Sequence, residues 1–261
     1  MAYKNIKVEK KEGIATIIIN RPKVLNALNT DTIKELTDAI NNDLENDKDI
    51  KVAVLRGSGD KAFIAGADIK EMKDMSVLQA KDFSELGHNL LSCIRQSRIP
   101  FIAMVNGYAL GGGCELLMSC DITVAGRNAK LGQPEINLGI SPGFCGTQCL
   151  PRHVGRSKAK ELMLTGETIN AEEALRIGLL NKVVDDDKLE EETMKLAKKI
   201  ATKSPVQTAF IKSLVNKGSD IDMHSACALE ISYFSSGFGT EDQKEGMDAF
   251  LGKRKPNFRG K

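Results

Sequence analysis

The strongest constraint on this chain is a repeated order of short β-branched runs, glycine-bearing turns and amphipathic stretches, which continues to about Gly155. Ile14-Ala15-Thr16-Ile17-Ile18-Ile19 lies between Gly13 and Asn20-Arg21-Pro22 and, with the text before it, reads as an opening strand pair. Val52-Ala53-Val54-Leu55, Phe101-Ile102-Ala103-Met104-Val105 and Ile122-Thr123-Val124-Ala125 are apolar, β-branched and too short for helices, which predicts strands buried on both faces. Between them, Ile33, Leu36, Ala39, Ile40 and Leu44 recur at helical spacing behind a Thr30 or Asp31 N-cap, with Glu35 adding early negative charge. Residues 77–97 form a second helix with Phe83, Leu86, Leu90, Leu91 and Ile94 on one face. Strands alternating with helices predict an α/β fold with largely parallel pairing. Past Gly155 the text turns helical, over 158–164, 171–177, 187–201, 206–215, 222–234 and 241–251, with Lys182-Val183-Val184 the one legible strand. The stripe Met223, Ala226, Leu229, Glu230 and Phe234 is either core or a subunit contact.

Bulk properties exclude several classes of function. A net charge of +2 lacks the basic excess of a general nucleic-acid binder, and 5% aromatic residues with no Trp leave few stacking platforms for single strands. No stretch approaches the roughly 20 apolar residues of a membrane span. The first residues, Met1 to Glu9, mix charge with apolar residues and carry no secretory h-region, so the cytoplasm is the expected address. Cys93, Cys114, Cys120, Cys145, Cys149 and Cys227 contain no C-x-x-C pair, and His88, His153 and His224 stand singly. Neither a disulfide framework nor a metal site is expected, and the thiols read as small buried hydrophobes.

Two glycine-bearing loops follow apolar strands, where α/β folds bind ligands. One is Phe63-Ile64-Ala65-Gly66-Ala67-Asp68-Ile69; the other is Asn106-Gly107-Tyr108-Ala109-Leu110-Gly111-Gly112-Gly113-Cys114-Glu115. The second lacks both the G-x-G-x-x-G spacing and the Lys-Ser/Thr of a phosphate loop. It is instead a glycine-rich approach to a helix start, where unpaired N–H groups can meet a carbonyl or enolate oxygen with no Cβ in the way. Glu115 follows at once. Alone, it is equally a helix-dipole compensator, and Glu135, after Gly132-Gln133-Pro134, is equally a loop carboxylate facing water. Ile140 to Gln148 reads as a structural turn into a helix, and Asp68 and Asp121 as helix-start or turn carboxylates. No Ser-His-Asp or Cys-His order and no nucleophile elbow occurs.

Taken together, these segments resemble the enoyl-CoA hydratase (crotonase) family over nearly the whole chain. The resemblance rests on Asn20-Arg21-Pro22 with Leu25-Asn26-Ala27-Leu28, on Ala65-Gly66-Ala67-Asp68-Ile69, and on the block from Asn106 to Leu116. Gly132-Gln133-Pro134-Glu135 with Leu138-Gly139-Ile140, and the closing Phe250-Leu251-Gly252-Lys253-Arg254-Lys255, complete it. It implies an α/β spiral of ββα turns over 1–195 and a C-terminal helical trimerisation region over 196–261, assembled as a trimer or a dimer of trimers. It implies an acyl-CoA thioester as substrate, no cofactor, and an oxyanion hole made of the Ala67 and Gly112 N–H groups. Glu135 matches the residue that moves a proton at Cα, and Glu115 the partner that activates the water attacking Cβ. Lys23, Ala27, Leu28, Ala65, Asp68, Ile69, Lys70 and Lys253 match positions that contact CoA. Relatives with a single such glutamate tend toward double-bond isomerisation, so the pair favours a hydratase, short-chain by closest similarity, over an isomerase or a non-catalytic RNA-binding relative. Where relatives often carry glycine and arginine, this chain has Cys145 and Cys149.

Overall fold

The computed structural model describes residues 3–261; Met1 and Ala2, the first residues of the N-terminal segment read above, lie outside it. Among the described residues, ten strands form two sheets. The larger contains β1 (Ile6–Lys11), β2 (Ile14–Ile19), β3 (Val52–Gly57), β5 (Phe101–Val105), β7 (Ile122–Gly126) and β10 (Lys182–Val184), in the order β1-β2-β3-β5-β7-β10. Only β1 and β2 pair antiparallel; the remaining pairs are parallel. The smaller contains β4 (Ala62–Ile64), β6 (Tyr108–Leu110), β8 (Lys130–Gly132) and β9 (Thr168–Asn170), in that order. From β3 to β8 the chain lays one strand in each sheet by turns, and helices complete the repeat. This is the expected spiral of ββα turns.

The apolar runs are continuous because the large sheet is covered on both faces. Ala15, Ile17, Ala53, Leu55, Phe101, Ala103 and Ala125 point into the main core, and Ile14, Val52, Val54, Ile102, Met104 and Val124 form a second cluster on the opposite face. Leu189 and Ala197 close that second cluster. They belong to a helix, Leu189–Ala201, that crosses the expected division at residue 195 without interruption.

Helix α1 (Thr30–Asp38) is capped by Asn29, whose side chain accepts the Thr32 N–H at 3.0 Å, rather than by Thr30 or Asp31. Glu35 accepts the Asn5 N–H at 2.8 Å and so ties α1 to the chain just before β1. A four-residue helix α2 (Ile69–Met72) precedes α3 (Val77–Gln96), whose Phe83, Leu90, Leu91 and Ile94 are buried as its periodicity predicts, with Leu86 packed at the edge. Next come α4 (Gly112–Leu117), α5 (Gly146–Val154), α6 (Arg156–Thr165), α7 (Ala171–Arg176), α8 (Leu189–Ala201), α9 (Pro205–Gly218), α10 (Met223–Gly237) and α11 (Glu241–Leu251). Buried Lys212 fastens α9 to the core. Its ammonium donates to Ile94 O at 2.7 Å and Ile99 O at 2.8 Å and pairs with Asp121 at 2.8 Å. The stripe on α10 is not core: Met223 is 78% exposed and Phe234 69%. No helix among the described residues is long and apolar enough to cross a membrane, and no cluster of metal-ligating side chains occurs among them.

Candidate active site

Strand β6 ends at Leu110, and Gly111 turns the chain at φ 49°, ψ −122° into α4. That conformation suits glycine, and an added Cβ would stand 2.8 Å from Glu135 Oε1. The turn is therefore packed directly against the second carboxylate. Every residue of α4 is buried, including Glu115 at 1% exposure. Glu115 Oε1 accepts the N–H of Phe144 at 2.8 Å and of Gly146 at 2.6 Å. Burial pushes its carboxyl up to about 7; the Glu135 charge adds to that shift, while the two backbone donors oppose it.

Glu135 begins a 3-10 turn, Glu135–Leu138, and is 9% exposed. Burial raises its carboxyl too, against the pull of its own backbone N–H. The Gln133 side chain is buried, and oriented to satisfy both groups its amide donates to the two Glu135 oxygens at 2.9 and 3.1 Å. Neither glutamate is the solvent-facing or dipole-compensating group that it could be in isolation. Each is sheltered, aimed by amide donors and joined to no cation among the described residues. This raises both carboxyl groups and brings Glu115 to about 7, where it can take up or release a proton near neutral pH.

The Ala65–Lys70 loop lies against the start of α4, where a Cβ built on Gly112 would be 3.7 Å from Ala67 N. Ala67 makes an isolated parallel bridge to Leu28, with Leu28 N–H donating to Gly66 O at 2.9 Å and Asp68 N–H to Leu28 O at 2.8 Å. Both bonds fall on the neighbours of Ala67, so its own N–H faces away from Leu28. Gly112 opens a helix, so its N–H has no intrahelical acceptor. Two backbone donors thus sit side by side next to the glutamates.

Ala65 N–H donates to Leu25 O at 3.1 Å, so the Leu25–Leu28 and Ala65–Asp68 segments run side by side. They carry the expected CoA contacts Ala27, Leu28, Ala65 and Asp68, with Lys23 just before the first and Ile69 and Lys70 just after the second. A cleft of about 310 Å³ lies between Pro22–Asn26 and the 58–62 turn, and of the expected CoA contacts it includes only Lys23. Asp68 has both oxygens engaged: Oδ1 caps α2 through Lys70 N–H and Oδ2 pairs with Arg21 at 3.0 Å, as a helix-start carboxylate should. Lys253 lies exposed beyond α11, and no hydrogen bond or ion pair among the described residues joins it to either segment.

A family model described as Enoyl-CoA hydratase/isomerase matches residues 9–261. The chain belongs to the enoyl-CoA hydratase/isomerase family. It is 49% identical over 258 residues to a crotonyl-CoA hydratase of Syntrophomonas wolfei, covering 99% of each chain. It is 48% identical to a short-chain-enoyl-CoA hydratase of Clostridium acetobutylicum, covering 98% of this chain and 97% of that one. Among solved structures, an enoyl-CoA hydratase from Bacillus anthracis superposes with a TM-score of 0.96 at 36% identity, covering 99% of this chain and all of that one.

Within this enoyl-CoA hydratase/isomerase site, the segment from Ile140 to Gln148 is more than the structural turn read from its sequence, because it supplies both donors to Glu115. Gly146 must be glycine there, since a Cβ would meet Glu115 Oε1 at 2.8 Å, a long-range contact the sequence does not signal. Cys145, between the two donors, holds a left-handed φ of 87°.

Proposed function

We propose that the protein reversibly hydrates short-chain 2-enoyl-CoA thioesters, interconverting crotonyl-CoA and 3-hydroxybutyryl-CoA, with one water shared by Glu115 and Glu135. The observation that carries this reading is the pair of buried carboxyl groups on either side of the Gly111 turn, beside the N–H groups of Ala67 and Gly112.

The chemistry follows from that arrangement. Glu115 as carboxylate takes a proton from water as its oxygen attacks Cβ. The displaced electron pair moves through Cα onto the thioester oxygen, and the two N–H groups stabilise the enolate. Preorganised donors of this kind are worth about 10²–10³ each in rate. Glu135 in its protonated form, which burial favours, delivers a proton to Cα. Each positioned acid or base contributes about 10²–10⁴. Dehydration retraces the path. Lys23, Ala27, Leu28, Ala65, Ile69 and Lys70 line the proposed CoA edge, with Asp68 holding the loop. Lys253 would reach the nucleotide phosphates only from the tail, in an assembled form.

The C-terminal helices form the proposed oligomerisation region. Ile211, Val215, Met223, Ile231 and Phe234 are each at least 60% exposed, an apolar surface that a second and third copy would cover. Trimers, or dimers of trimers, fit it. The cytoplasm is the proposed compartment, in keeping with six free thiols.

Steady-state rates on 2-enoyl-CoA thioesters of increasing chain length, beside a 3-enoyl-CoA, test the reading. Fast hydration of crotonyl-CoA that declines with chain length is expected. Preference for long chains would overturn the substrate, and isomerisation without hydration would overturn the reaction.

A further inference from the structure

If Ala67 N–H is an oxyanion donor, its direction must be held to a fraction of an ångström, yet it lies in no strand or helix. Among the described residues its one ladder pairing is the isolated bridge to Leu28. Arg21 spans the two segments that make this bridge. Its Nη1 donates to Ala27 O, the carbonyl just before Leu28, and its Nη2 donates to Asp68 Oδ2 at 3.0 Å, just after Ala67. The pair is sheltered, with side chains 17% and 15% exposed, where a charge-assisted bond is screened little.

Arg21 is itself anchored. Its N–H donates to Oδ1 of buried Asn26 at 3.0 Å, and Asn26 Nδ2 donates to Ser58 O at 3.0 Å and Ala62 O at 2.8 Å. A continuous set of hydrogen bonds therefore runs from the backbone around β4, through Asn26 and Arg21, to the residue after Ala67. The guanidinium suits this place because its planar fork reaches acceptors on two segments at once. A lysine ammonium, as a point charge, does not reproduce that geometry.

We propose that Arg21 is a positioning residue: by tying Ala27 to Asp68 it locks the Leu28–Ala67 bridge and so aims Ala67 N–H at the thioester oxygen. The inference rests on the reading of Ala67 and Gly112 as the oxyanion donors. It assigns Asp68 to the same device, as the anionic end of the tie.

The test compares Arg21→Lys, Arg21→Gln, Asp68→Asn and the double variant Arg21→Gln/Asp68→Asn with wild type. kcat and KM for crotonyl-CoA are measured well below each melting temperature, together with the infrared C=O stretch of the bound thioester. Misaligned donors are expected to lower kcat about 10–100-fold with far less change in KM, and to move the bound C=O stretch back toward its free value. The double variant leaves no lone buried charge to unfold the chain. It therefore decides the matter if a single variant does not fold, and it is expected to lose no more than the worse single change. A double variant that melts earlier but keeps wild-type kcat and an unshifted stretch would show a merely structural tie and overturn the proposal. A wild-type stretch that does not move on binding would instead remove the oxyanion reading of Ala67 and Gly112 itself.

Discussion

Helix α4 has six residues, all buried, Glu115 among them; helix α10 has fifteen, of which only Gly237 is buried. The composition alone suggests the reverse, since α10 carries Met223, Leu229, Ile231 and Phe234, whereas α4 carries two glycines and a charge. Helix α4 is enclosed by its own chain, which supplies backbone donors to the one carboxylate it buries. Helix α10 packs on α9, where Phe210 and Tyr233 meet edge to face at 4.9 Å, and leaves Met223, Ile231 and Phe234 to solvent. Each helix carries a cost that folding alone does not repay: a desolvated carboxyl group in one, an uncovered apolar stripe in the other. Such departures from consistent design concentrate at functional positions. Here one marks proposed chemistry and the other a proposed contact between copies.

The comparison breaks most completely if α10 needs no partner. Phe234→Glu is expected to abolish assembly, giving a single-chain mass in light scattering. Phe234 is 69% exposed, so the fold of one protomer should be little affected. An unchanged assembled mass would return the stripe to ordinary surface.

Around α4, Gly111→Ala tests whether the turn places Glu135. The new Cβ would lie 2.8 Å from Glu135 Oε1 at a φ of 49°, so kcat is expected to fall about 10²-fold with both glutamates intact. Steady-state kinetics and a crystal structure of the variant would check it.

The pH profile sharpens the contrast further. On the alkaline side hydration should fall as Glu135 loses the proton it must deliver, and on the acid side it should fall as pH drops below about 7, where Glu115 ceases to be a carboxylate. Stability should move the opposite way on the acid side. A carboxyl raised from 4.5 stays protonated in the folded chain after the unfolded chain has ionised, so stability drops as pH rises from about 4.5 to about 7. The drop is on the order of 3 kcal/mol. Urea titrations of wild type and Glu115→Gln across this window should show the steeper slope in wild type, with the remainder in the variant coming from the raised Glu135 and Asp121 carboxyls.

The smallest expected effect lies in the loop that holds Glu115. Cys145 sits at a φ of 87° with a side chain that disfavours it, so Cys145→Gly should raise stability by about 1 kcal/mol in thermal unfolding and leave turnover intact.

What the sequence made legible follows the range of the interactions involved. The strands Ile14–Ile19, Val52–Gly57 and Phe101–Val105 were readable because β-branched runs carry their own propensity. The three-residue strands β4, β6, β8 and β9 were not, since Tyr108–Leu110 or Thr168–Asn170 become strand only by pairing with each other's neighbours. The cap at Asn29 was misplaced by one or two residues, onto Thr30 or Asp31, because Asn, Thr and Asp stand consecutively and all are capping types. At the site, the glycine run before Glu115 and the Pro134–Glu135 setting could be singled out locally. The burial of both glutamates could not, and neither could the Phe144 and Gly146 donors, 29 and 31 residues from Glu115. Arg21 and Asp68, 47 residues apart, were both in view as motif residues but not as partners.

The central claim, that Glu115 and Glu135 act on one water, is tested most directly by crotonyl-CoA hydration in Glu115→Gln, Glu135→Gln and the double variant, each confirmed as folded. Groups that work as a unit are non-additive. The account predicts that each single change lowers kcat by about 10²–10⁴, and that the double variant is hardly slower than the worse single one. A double loss equal to the product of the two single losses, or near-wild-type turnover in either single variant, would contradict it.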